Sequence, residues 1–173
     1  MKRKSFEADI CATARTLDVI GDWWSILIIR DTLGGIRRFS ELQRHLGAAK
    51  NILTTRLKAL VDHGILEIVP ASDGSAYSEY LPTAKGRALI PVIVALAQWG
   101  KEYLYDADEA CNVPVDSTRE VPLAKLKLVA EDGRELAPAE VLIAPRDAAW
   151  TGKVAREAPH SRKVSRLAPR PVR

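Results

Sequence analysis

Cysteine is nearly missing from this chain. Its two copies, Cys11 and Cys111, are widely separated, so they form neither a disulfide framework nor a metal-ligand pair. Histidine is equally thin. His45, His63 and His160 lie far apart and none sits beside a cysteine, which removes the commonest zinc patterns. Long apolar runs are lacking too. None reaches the ~18 residues that a membrane span needs. The opening "MKRKSFEADI" is basic but has no apolar stretch of the kind a secretory signal carries. A cytoplasmic protein with no membrane partner is the expectation. No nucleophile–base–orienter set, phosphate loop or metal spacing is legible, so neither an enzyme nor a cofactor is expected.

What remains is an ordinary globular composition with an uneven charge. The chain has 173 residues, 47% apolar and 28% charged, which suits one domain or one domain with an appendage. The formal net charge is +4. From Arg146 to Arg173 there are eight bases and two acids, whereas the other 145 residues hold eighteen bases and twenty acids. The basic character therefore belongs to the tail. Within the body, the segment from Arg37 to Lys58 holds six bases and one acid, Glu41. Localised positive charge is the footprint of a polyanion partner.

The order of elements can be read along the chain. "CATARTLDVIGDWWSILIIRDTLGG" reads as helix, break, helix, with Gly21 at the break and Asp22 as N-cap. The second of these helices is apolar almost all round, so it is expected at the buried centre, with at least one of Trp23 and Trp24 in the core. In "FSELQRHLG", Ser40 with Gln43 suggests a capping box and Gly47 a C-terminal stop. A further helix follows from about Ala49 to His63 and ends at Gly64. The short connection between the two helices is that of a helix-turn-helix. "ILEIVPASDGSAYSEYL" then alternates, and predicts a β-hairpin with its tip near Asp73 and Gly74. Thr83 is expected to cap one long helix, kinked at Pro91. Its apolar positions Leu89, Val92, Ile93, Leu96, Trp99 and Tyr103 cover more than one face, so they are assigned to a dimer interface. "LAKLKLVAEDGRELAPAEVLIAP" suggests two short strands around Asp132 and Gly133, and residues 146–173 read as a disordered basic tail.

Helix-turn-helix plus hairpin is the winged-helix layout, whose second helix enters the major groove. The fold expected is mainly α with a small β-wing: a winged helix-turn-helix with flanking dimerisation helices over 1–107, a β-rich extension over 108–145, and the tail. In "KNILTTRLKAL", Asn51, Thr54, Thr55 and Lys58 share one face at helical spacing. Short hydroxyls and amides approach base edges without a long flexible stem. Lys50 and Arg56 flank that face as phosphate ligands. Arg37, Arg38 and Ser40 complete the DNA-binding candidates, although either arginine could instead pair with Asp31 or Glu41. The hairpin tip carries an Asp and no base, so a structural hairpin is expected there. Cys11 opens the first helix with Arg15 one turn on. That setting favours a thiolate, although a small apolar residue is the plainer reading.

These residues together resemble the HxlR-type bacterial regulators, a winged-helix group related to the MarR regulators. The matching pieces are Cys11, "LDVIGDWW" (17–24), "RRFSELQRHLG" (37–47), "ILTTRLKALVDHGIL" (52–66), "SEYLPTAKG" (78–86) and "LIPVIVALAQWG" (89–100). The resemblance implies a homodimeric DNA-binding transcription factor whose N-terminal and C-terminal helices pair. Some members sense oxidants or electrophiles with a cysteine near this position, which makes Cys11 a candidate sensor, and an unidentified small molecule is the other candidate signal. This chain departs from the pattern with Ala49 for a capping Ser, Pro82 for a Leu, and Trp23 for a base. The function expected is a dimeric repressor on a near-palindromic operator. The alternative is a protein-interaction module whose basic tail binds nucleic acid nonspecifically.

Overall fold

The computed structural model describes residues 5–143. The sequence-based expectation for the tail lies outside them. Four helices come first: α1 (Ala12–Ile20), α2 (Trp23–Leu33), α3 (Phe39–Leu46) and α4 (Lys50–Asp62). A hairpin of β1 (Leu66–Pro70) and β2 (Ser78–Pro82) follows, then α5 (Ala84–Arg87) and α6 (Ile90–Leu104). The extension adds β3 (Leu128–Val129), β4 (Glu135–Leu136) and a short 3-10 turn (Pro138–Glu140). None of the described helices is long and apolar enough to cross a membrane.

Local chemistry sets the helix ends. The Asp22 carboxylate accepts the Ser25 backbone N–H at 3.1 Å, which satisfies one of the orphan donors at the start of α2. Gly47 closes α3 with φ of 63°, a left-handed position that favours glycine. The predicted Ser40–Gln43 capping box does not form. The N-cap of α3 is Arg38, and the Glu41 carboxylate reaches back to its backbone N–H at 3.4 Å. The helix starts two residues earlier than the hydroxyl signal suggested, which leaves Ser40 exposed in the first turn. At α4, Ala49 occupies the N-cap without a side-chain bond.

The core gathers on α2 and α4. Ile28 and Ile29 of α2 meet Leu42 of α3, Leu53, Leu57 and Leu60 of α4, and Ile65 and Leu66 at the root of the hairpin. Leu53, Leu57 and Leu60 are each 0–1% exposed, and burying one such side chain contributes about 1.5–3 kcal/mol. Trp24 packs against this core while Trp23 stands 74% exposed.

The hairpin is antiparallel with Leu66 opposite Pro82 and Pro70 opposite Ser78. It is tied to the end of α4 by Thr83. The Thr83 hydroxyl donates to the Gly64 carbonyl at 2.7 Å and accepts the Gly86 N–H at 3.1 Å. A Cβ on Gly86 would sit 2.2 Å from the Ile65 carbonyl oxygen, so this close approach excludes any larger residue.

One long helix after Thr83 was expected; the chain instead makes two. Thr83 caps the short α5, and α6 begins anew with Pro91 in its first turn. Proline has no N–H to offer the preceding turn and its ring crowds the carbonyl four residues back. That arrangement is tolerated at a helix start.

The extension lies along α6. The Gln98 amide donates to the Ala124 carbonyl at 2.9 Å and accepts the Leu126 N–H at 2.8 Å. Lys125 pairs with Glu102. The β3–β4 turn falls at Gly133, as expected, but none of residues 105–143 is buried.

Candidate nucleic-acid interface

Helix α4 has two faces, as its sequence predicts. Leu53, Leu57 and Leu60 point into the core, and Lys50, Asn51, Thr54, Thr55 and Lys58 are all exposed. Both threonine hydroxyls donate to the carbonyl four residues back, Thr54 to Lys50 and Thr55 to Asn51, each at 2.8 Å. Their oxygens remain free to accept, and the helix loses nothing when the hydroxyl hydrogens swing outward to an acceptor. This is a short, stiff polar surface on a rigid element.

The flanking bases are less free than the sequence suggests. Arg56 turns to Asp22, with Nε 3.2 Å from the carboxylate. Lys58 pairs with Asp62 at 2.6 Å one turn along the same helix. Arg38 pairs with Asp73 at the hairpin tip at 2.5 Å and lies 3.6 Å from Glu79. Arg37 is 3.8 Å from the other oxygen of Glu79. Neither arginine forms an ion pair with Asp31 or Glu41, the acids that the sequence offered as an alternative to phosphate. Asp31 is buried and takes Arg30 and His45, both at 2.7 Å, while Glu41 serves the backbone of Arg38. Four of the six bases across 37–58 thus pair with Asp22, Asp62, Asp73 or Glu79 from outside that segment. Only Asp62, at four residues from Lys58, had a local signal. The others arrive by tertiary folding.

Glu79 anchors the wing. It is 3% exposed, and its carboxylate accepts the Ser72 N–H at 3.3 Å and the Ser72 hydroxyl at 3.1 Å. Tyr80 N–H donates to the Arg37 carbonyl at 2.8 Å. The hairpin is therefore fastened to the start of α3 by backbone and by charge. Arg38 holds the Asp73 carboxyl well below the usual carboxylate range, chiefly by hydrogen bond, with Ser75 adding to it. The same contact raises the Arg38 guanidinium.

Two other sets of candidates are also placed. On α6, Leu89 and Ile93 turn inward and pack on the core. Val92, Leu96, Trp99 and Tyr103 are 40–63% exposed, with the Trp99 and Tyr103 rings 5.5 Å apart. Cys11 is exposed at the N-cap of α1. Its N–H donates to Asp9 at 2.8 Å, and Arg15 is engaged by the Asp9 carbonyl.

Comparison with known proteins fits this geometry. Residues 19–108 match the HxlR-like helix-turn-helix family. The chain belongs to that family. It is 42% identical over 93 residues to the HTH-type transcriptional regulator Rv3095 of Mycobacterium tuberculosis, covering 54% of this chain and 59% of the relative. It is 32% identical over 105 residues to the regulator sll1512 of Synechocystis, covering 60% and 78%. Among solved structures it resembles PA1607, a candidate transcription factor, with a TM-score of 0.76 and 45% identity over 83% of this chain and all of that one. A second, PA1374 from Pseudomonas aeruginosa, gives 0.57 and 38% over 82% and 97%. The chain spans about three-fifths of the mycobacterial relative, while the PA1607 match takes in the extension as well. This chain carries the helix-turn-helix of the HxlR-like family.

Proposed function

We propose that the regulator is a dimeric repressor in which two copies of α4 enter successive major grooves of a near-palindromic operator. The observation that carries this reading is the two-faced α4, with a fixed leucine side and a polar side of Asn51, Thr54, Thr55 and Lys58 open to solvent. Lys50 is the exposed phosphate ligand beside it, and Arg37, Arg38 and Ser40 stand at the start of α3. Pairing through α1 and α6 would set the two α4 helices about one DNA turn apart. Val92, Leu96, Trp99 and Tyr103 recur at spacings of four, three and four, which is the seam of two helices packed together. Occupying the operator blocks other proteins sterically.

Selection of bound duplexes from a random pool tests this directly. A two-fold symmetric consensus supports it, and a pool that stays random sinks it. One observation favours a second reading, a protein-interaction module with a nucleic-acid-binding tail: Asp22, Asp62, Asp73 and Glu79 hold most of the interface cations. A chain ending at Pro145 separates the two. Under the first reading it keeps the consensus; under the second it loses all DNA binding. The signal, in this proposal, is an oxidant or electrophile acting at Cys11, which is exposed at the start of α1. Cys11→Ser protein should then stay on its operator under peroxide or quinone, and normal release from that variant would rule out this thiol.

A further inference from the structure

The acids that hold interface cations fall into two kinds. Glu79 keeps only 4% of its side chain in solvent, and Asp22, at 17%, also accepts the Ser25 hydroxyl at the head of α2. These two are built into the fold. Asp62 and Asp73 differ, with side chains 57% and 51% exposed, each on a single interface cation, Lys58 at 2.6 Å and Arg38 at 2.5 Å. Neither caps a helix end among the described residues; Asp73 also accepts the Ser75 N–H within its own turn.

We propose that Asp62 and Asp73 are specificity-determining residues that compete with DNA phosphate for Lys58 and Arg38, and so suppress binding to DNA of the wrong sequence. The inference rests on the DNA-binding reading of α4. Sequence-independent affinity comes from cations that neutralise phosphates and release counterions, with a salt slope of about 0.9 per phosphate. A cation that already carries a carboxylate releases fewer. When phosphate displaces that carboxylate, the freed acid faces the polyanion. Docking on the wrong sequence depends on such phosphate contacts and takes the whole penalty, whereas docking on the operator is held also by Asn51, Thr54 and Thr55 and needs fewer of these exchanges. Exposed ion pairs contribute little to stability, so the exchange leaves the fold intact. The residues are placed for it. Lys58 lies one turn beyond Thr54 on the polar stripe itself. Arg38 stays within reach of the buried Glu79 at 3.6 Å when it leaves Asp73, so the wing remains attached.

The test uses the full chain, with Asp62→Asn, Asp73→Asn and the double variant. Fluorescence anisotropy would follow a selected operator duplex and a scrambled duplex of equal length through a salt series. Each substitution should tighten scrambled-DNA binding about threefold to tenfold and steepen its salt slope by up to about 0.9. Operator binding should tighten less, so the ratio between the two duplexes falls. In a Lys58→Met background, Asp62→Asn should lose most of its effect on the slope. Equal tightening on both duplexes, or an unmoved scrambled-DNA slope, overturns the inference while leaving the operator reading intact. A wild-type protein that selects no sequence overturns both.

Discussion

Helices α4 and α6 both bury one side and leave the other in solvent, yet the uncovered stripes have opposite chemistry. On α4 the open residues are Asn51, Thr54, Thr55 and Lys58; on α6 they are Val92, Leu96, Trp99 and Tyr103. The geometry is the same, with residues three or four apart aligned on one face. The thermodynamics differ. A polar stripe is at ease in water and gains from a partner that supplies directed donors and acceptors. An apolar stripe of this size is costly until something covers it. In the proposed function a polyanion with base edges covers the open face of α4, and a second apolar surface covers that of α6. The comparison also separates stability from function, because on each helix the buried and open sides can be changed independently.

The largest effect should come from crossing the inside of α4 with its outside. Leu57 is 1% exposed among the core leucines, so Leu57→Ala should cost about 2–5 kcal/mol of stability. A thermal melt would show it, and DNA binding would fall with the fraction folded. Thr55→Val changes the open side. It should leave the melt nearly unmoved but reduce discrimination at particular base pairs by about 1–3 kcal/mol each. If Thr55→Val instead weakens all sequences equally, the polar face is not a reading surface.

On α6 the open side should matter to assembly alone. Trp99 is 56% exposed and stacks on Tyr103. Truncating an aromatic anchor at the centre of an interface costs about 2 kcal/mol or more, or roughly a thirtyfold weaker self-association. Trp99→Ala should therefore shift sedimentation equilibrium toward monomer with an unchanged circular dichroism spectrum. Ile93→Ala, on the inward side, should do the reverse and lower the melting temperature. Equal self-association of Trp99→Ala and wild type would move the dimer face off α6.

A smaller effect tests the one weak point of α4. Ala49 supplies no cap, so Ala49→Ser should add about 1 kcal/mol by accepting the N–H of Asn51 or Ile52. The midpoint of urea unfolding would report it. No shift would mean that these donors are already satisfied in the wild-type protein.

What was legible in the sequence divides along the same line as these effects. The helix-turn-helix and hairpin follow from local rules: leucines at helical spacing, Gly47 in the left-handed region, Asp22 at a helix start, and an Asp-Gly tip. Which way Leu89 and Ile93 face was not legible, because an apolar residue on a helix packs equally well on its own core or on a neighbour. The break before α6 was missed because Pro91 was read as a kink, although a proline is as comfortable in a first turn as in a bend. The charge pattern misled most. A count along 37–58 shows one acid, but Arg38 meets Asp73 from 35 residues away, and only the folded hairpin brings them together. Local composition sees the cations of a site and not the distant carboxylates that hold them.

The smallest effect concerns how those held carboxylates titrate on the two sides of the molecule. Asp73 is depressed by the Arg38 hydrogen bond, then by Ser75, and Glu102 on α6 is depressed first by Lys125. A depressed folded-state value means that each pair's contribution is complete above the ordinary carboxylate range. It is lost only as the pH falls below that range and through the folded-state value. Both groups are solvent-exposed, so the effect on stability is slight, but the protonation itself is measurable. Carboxyl chemical shifts of Asp73 and Glu102 should titrate at lower pH than those of free carboxylates. Arg38→Met should move Asp73 up toward the ordinary carboxylate range and leave Glu102 untouched, and Lys125→Met should do the converse. If Arg38→Met leaves the Asp73 curve where it was, the Ser75 hydrogen bonds hold that carboxylate. Arg38 would then be free for phosphate at all times, and the hairpin tip would carry no competitor for it.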